Sequence, residues 1–143
     1  MNHFALFRLL LVAVTAYAFW RGDRDTRIVA VVCCIATLAS QMILSPVAQR
    51  YSAVEAGDVM VDLLTLCAFV AVALQSNRFW PLWVAGLQLT SSTTHLLKAI
   101  NLSLLPQAYG AATMFWSYPI LLILVIGAWR ADRRRRASGH STA

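Results

Sequence analysis

Asp58, Asp62 and His95 are side chains whose chemistry could relay a proton, hold a cation or grip a polar group, and all three stand within long apolar stretches. The chain has six acidic residues, and half of them fall in "VEAGDVMVDL" at 54 to 63: Glu55, Asp58 and Asp62. At 100° per residue these three cover about 60° of arc on one helix face. Further along, Gln88, Ser91, Ser92, His95 and Lys98 form a second polar stripe at helical spacing. A charged side chain facing acyl chains is costly, so the economical arrangement turns the two stripes toward each other or into a shared cavity.

The elements that must position them are set by composition. The 143 residues are 59% hydrophobic and 13% charged, with a mean hydropathy of +0.65. Apolar runs as long as a bilayer is thick exclude an ordinary soluble domain and point to an integral membrane protein. No segment shows the ten-residue alternation of a membrane barrel, so the expected fold is all-α. Five transmembrane helices are predicted at 3–20, 28–46, 55–76, 81–100 and 109–129, making one domain over 1–130, with 131–143 a disordered basic cytoplasmic tail. "RGDRDTR" at 21 to 27, Pro46, "SNRFWP" at 76 to 81 and "LLPQAYG" at 104 to 110 supply the breaks.

Five spans put Arg21, Arg24, Arg27, Arg78, Arg130 and Arg133 to Arg136 on one side, which is nine of the 12 cations, and Arg8, Arg50 and Lys98 on the other. Cytoplasmic loops carry the excess of Lys and Arg, so the C-terminus is expected inside and the N-terminus outside. Phe19, Trp20, Phe79, Trp80, Trp83 and Trp129 fall at the same inner boundary, where amphipathic rings prefer the headgroup layer. "FRLLLVAVTAYA" at 7 to 18 resembles a signal peptide with an Ala16-Tyr17-Ala18 cleavage site. Cleavage there would place both "RGDRDTR" and the Arg-rich tail outside, against the charge rule, so the first helix is expected to remain.

Depth sharpens the pairing. In a hairpin turning at 78 and 79, Asp62 lies level with His95 and Asp58 level with Lys98. Arg8 stands near the outer end of the first helix, Ser40 and Gln41 near that of the second, and Ser117 and Tyr118 in the outer half of the fifth. The expected candidate pocket is therefore Asp62, His95, Asp58, Lys98, Glu55, Arg8, Gln88 and Gln41, open to the outer side.

Such a cluster has two chemical readings. Buried ion pairs between carboxylates and Lys98, Arg8 or His95 fix how helices pack, adding little net stability. A carboxylate beside an imidazole at membrane depth also relays a proton, holds a cation or binds the polar head of a lipid-soluble molecule. A divalent ion on Asp58, Asp62 and His95 is chemically sensible, and a bis-His haem requires His3 to fold inward. No cofactor is therefore assigned. Catalysis is not expected, since the chain has no H-E-x-x-H, G-x-S-x-G, P-loop or G-x-G-x-x-G. The hydroxyls of "TSSTTH" at 90 to 95 are expected to bond back to the preceding turn or serve close packing. Cys33, Cys34 and Cys67 are expected as small packing residues, and Pro119 as a kink.

Arg130, Arg133, Arg134, Arg135 and Arg136 are expected to anchor the chain on the anionic lipid surface, with no nucleic acid involved. The block "VDLLTLCAFVAVALQSNRFWPLWVAGLQLTSSTTHLLKAI", residues 61 to 100, resembles the central part of small polytopic inner-membrane proteins of alphaproteobacteria, sphingomonads in particular. The resemblance rests on an Asp, then "RFWPLW", then Gln and His; it implies a bacterial inner membrane and carries over no activity. Two functions follow as expectations. One is an accessory or assembly subunit, within a larger membrane complex or a homo-oligomer, whose polar cluster glues helices. The other is a binding or transport protein using an outward Asp/His pocket.

Overall fold

The computed structural model describes residues 3–43, 53–100 and 106–139, and the side chains of 5–42, 56–97, 100 and 115–139. Five helices make up the described chain, with no strand: α1 His3–Arg21, α2 Arg24–Ile43, α3 Ala53–Gln75, α4 Trp80–Ile100 and α5 Pro106–Gly139. Among the described residues three stretches, Arg24–Met42, Ala56–Gln75 and Phe115–Gly139, are long and apolar enough to cross a membrane, against the five expected. In α4 the polar run from Gln88 to His95 dilutes the apolar character. Each helix packs on the next in sequence, α5 closes the ring against α1, and α2 also touches α5 across it.

Helix boundaries follow local chemistry. The whole turn between α1 and α2 is Gly22 and Asp23, and a side chain at position 22 would collide with the carbonyl of Ala18, which accepts the Gly22 N–H at 2.8 Å. The Asp23 carboxylate accepts the Thr26 N–H at 3.1 Å and the Thr26 hydroxyl at 2.5 Å. This cap satisfies otherwise orphaned donors of the first turn and starts α2 at Arg24, four residues before the expected position. At the other turn, Ser76 donates to Asp25 at 2.6 Å, and Pro81 sits buried in the first turn of α4, where a missing N–H costs nothing.

The expected disordered tail is corrected at its start. Helix α5 runs through Gly139, because residues far away in sequence hold its charged end. Arg21 meets Asp132 at 3.0 Å, and Asp132 also meets Arg136 at 2.9 Å. Arg135 donates to the carbonyls of Arg21 and Gly22 at 2.6 and 2.7 Å, closing the C-terminal end of α1. Of the cations expected on the lipid surface, Arg133 stacks over Trp129 with 4.9 Å to the ring centroid. Arg130 and Arg134 are exposed.

The apolar core lies between this charged end and the opposite one. Ala18, Val29, Ala30, Val84, Leu124 and Phe69 form its tightest part, with Leu11, Ile120 and Leu121 above them. Small side chains at Ala18, Ala30, Ala128 and Ala131 let α1, α2 and α5 approach closely, the packing mode that drives helix association without a hydrophobic force between spans. Gly127 does the same for α4: a Cβ there would stand 3.3 Å from the Trp80 indole.

Candidate functional site

A cavity of about 420 Å³ opens among all five helices at the end opposite the arginine-rich turns. Its floor is apolar, made by Leu11, Phe69, Ile120 and Leu121, which separate it from the charged end of the bundle. Its polar wall holds Asp58 and Asp62 from α3, Gln88, Ser91 and His95 from α4, Gln41 from α2 and Arg8 from α1. Glu55 and Lys98, expected in the same cluster, lie outside the residues whose side chains are described.

Asp62 is the best-defined member. Gln88 Nε2 donates to one carboxylate oxygen at 2.5 Å and Ser92 Oγ donates to the other at 2.6 Å. Gln88 and Ser92 stand four apart, on one face of α4, so a single carboxylate on α3 bridges two successive turns of its neighbour. Both donors are buried and Asp62 itself is half-buried. Unsatisfied, such donors would cost on the order of 1–3 kcal/mol each.

The register differs from the expected one, which set Asp62 level with His95. Helix α3 ends at Gln75 and α4 begins at Trp80, which centres the hairpin a residue earlier than the turn at 78 and 79 and places Asp62 beside Ser92. His95 stands three residues beyond Ser92, about 4.5 Å further along α4 at 1.5 Å per residue. It lines the same cavity, and it and Asp58 have polar interactions of their own. Spacing alone already marked Ser92, four residues after Gln88, yet it had no place among the expected pocket residues.

The remaining hydroxyls of "TSSTTH" divide by face. Thr90, Thr93 and Thr94 donate back to the carbonyls of Gly86, Leu89 and Thr90 at 3.0, 2.8 and 3.0 Å. They satisfy themselves within the helix, as Ser and Thr do where no polar partner is near. Ser91 points into the cavity instead. On α3, Thr65 bonds back to Val61 at 2.8 Å.

Helices α1 and α5 close one side of the cavity. Phe7 packs edge-on against Tyr118, with ring centroids 5.8 Å apart and planes at 84°. Pro119 lies next to this contact within α5. It has no N–H to give the carbonyl of Phe115, so the helix lacks one bond beside the cavity wall. Cys33 lines the cavity, and Cys34 turns to Thr15 with a 3.3 Å contact between sulfur and hydroxyl; these two and Cys67 are free thiols. Among the described residues no three His, Cys, Asp or Glu side chains come together to hold a metal ion.

The arrangement is thus a mostly apolar chamber in which carboxylates, an imidazole, a guanidinium and amides face aromatic and aliphatic walls. No protein-family model, curated protein or solved structure matches the chain.

Proposed function

We propose that this is a multi-pass protein of a bacterial inner membrane, with five spans, an outer N-terminus and a cytoplasmic C-terminus, that binds the polar head of a lipid-soluble ligand in the cavity around Asp62. The observation that carries the reading is the chamber itself. At about 420 Å³ it falls within the range of roughly 300–1,000 Å³ typical of small-molecule sites, and it joins an apolar floor to a few convergent polar groups. Packing alone needs no such space, since helix interiors are close-packed with few voids larger than a water molecule. Asp62, already fixed by Gln88 and Ser92, gives the ligand head a rigid anchor. The five-span topology is supported by the charge distribution, which gathers nine of 12 cations at one end.

Filling the chamber tests this without touching its polar groups. Ala36 lines the cavity, and Ala36→Phe occupies its volume. Wild-type protein purified in mild detergent should carry an extractable small molecule by mass spectrometry, and Ala36→Phe should lose it while melting at the same temperature or higher. An identical small-molecule content in both proteins rejects the reading.

A second reading, an accessory or assembly subunit, is favoured by the way Asp62 bolts α3 to α4. It predicts a larger complex in mild detergent from wild type and Ala36→Phe alike.

A further inference from the structure

At the far end of the bundle three guanidinium groups stand without a counter-charge. Arg24, Arg27 and Arg134 border a cleft of about 530 Å³ where the α1–α2 turn, the α3–α4 turn and the last turns of α5 meet. All three are exposed, and among the described residues none of their side chains makes an ion pair or hydrogen bond. The other charged groups of the cleft are engaged. Arg78 meets Asp23 at 2.7 Å, Asp23 also caps α2, and Arg135 is held by the carbonyls of Arg21 and Gly22. Among the described residues Asp23 is the one acid lining a cleft that also takes in five arginines, so a strong positive excess remains after every pairing is counted.

Geometry adds to charge. Arg24 and Arg27 are three residues apart on the first turn of α2 and so project from neighbouring positions on one face, while Arg134 comes from α5 opposite them. The N-terminus of α2 contributes a further partial positive charge. Guanidinium forks match the oxygens of a phosphate in bidentate fashion, which an ammonium does not. Trp20, Phe79, Trp83 and Trp129, all exposed, surround the same end of the bundle, the position such rings take among lipid headgroups.

We infer that this cleft binds the phosphate of an anionic phospholipid, held by Arg24, Arg27 and Arg134. A soluble phosphate offers the same chemistry, but the aromatic collar places the opening where lipid phosphates lie. Arg78 and Arg135 frame the site rather than grip the ligand. The inference is independent of what the cavity around Asp62 holds, and requires only that this end of the bundle meets a bilayer surface.

Native mass spectrometry of the full chain in detergent, titrated with phosphatidylglycerol or phosphatidylcholine, tests it. The comparison is between R24Q/R27Q/R134Q and R130Q/R133Q/R136Q, which remove equal charge inside and outside the cleft. Generic attraction of about 1 kcal/mol per cation would weaken both triple variants equally. The cleft predicts a loss of phosphatidylglycerol affinity about tenfold greater for the first variant than for the second, and weak phosphatidylcholine binding by all three proteins. Equal losses overturn the proposal. The charge-preserving variant R24K/R27K/R134K decides the matter if the glutamine variant fails to fold: it should lose most of the preference, and full retention speaks for charge alone and against the site. Millimolar inorganic phosphate should leave the lipid bound, whereas its displacement reassigns the cleft to a soluble phosphate and overturns the lipid.

Discussion

Asp62 and Asp132 each accept two groups, but their surroundings make them opposites. Asp132 lies among guanidinium groups at the charged end, where Arg21 and Arg136 neutralise it. Asp62 lies half-buried within the bundle, and the bonds to its two oxygens come from a neutral amide and a neutral hydroxyl. Neutral donors fix the position of a carboxylate without cancelling its charge. The pair at the arginine-rich end is screened by salt and water, so it adds little stability, whereas the bonds within the bundle hold two helices in one register. A carboxylate positioned in this way can serve structure and ligand together, which one neutralised by arginines cannot.

The sharpest way to break this contrast is Asp62→Leu. It strands the donors of Gln88 and Ser92, and should destabilise the bundle by about 2 kcal/mol in detergent melts. The triple change D62L/Q88L/S92A removes donors and acceptor together and should recover most of that loss. A triple variant no better than Asp62→Leu would show that the carboxylate acts through something other than these two bonds. Asp23→Ala, at the charged end, should cost about 1 kcal/mol by uncapping α2, again read as a melting shift. The smallest effect belongs to Arg136→Gln, whose side chain is 66% exposed. It should leave the melting temperature unchanged in high salt, with any small difference confined to low ionic strength. A large, salt-resistant loss there would erase the distinction between the two carboxylates.

Much of this was readable in the sequence, for identifiable reasons. Five apolar runs separated by charged or proline-bearing breaks mark five helices, and the spacing of Asp58 and Asp62 against Gln88 and His95 marks two polar faces. The partners of Asp62 were less legible, because a shift of one residue in the centre of the α3–α4 turn re-pairs every level of the hairpin. The start of α2 was masked by charge: "RGDRDTR" reads as a solvated turn unless Asp23 is recognised as a cap for Thr26. The end of α5 had no local signal at all. Its charged residues look like a solvated tail until the end of α1 supplies partners from more than 100 residues away: Arg21 for Asp132, and the carbonyls of Arg21 and Gly22 for Arg135. The cleft of Arg24, Arg27 and Arg134 was hidden for the same reason, since three separate chain segments build it.

The contact between Arg135 and the carbonyls of Arg21 and Gly22 also bears on biogenesis. The donor follows the first of these acceptors by 114 residues. At a ribosomal rate of about 5–20 residues per second, α1 waits roughly 6–23 s before the guanidinium that closes its end has been translated. Consecutive neighbours can assemble as they leave the translocon, but the ring cannot shut until α5 has been made. A premature stop after Trp129 would therefore be felt at α1, leaving its C-terminal end open to quality-control proteases.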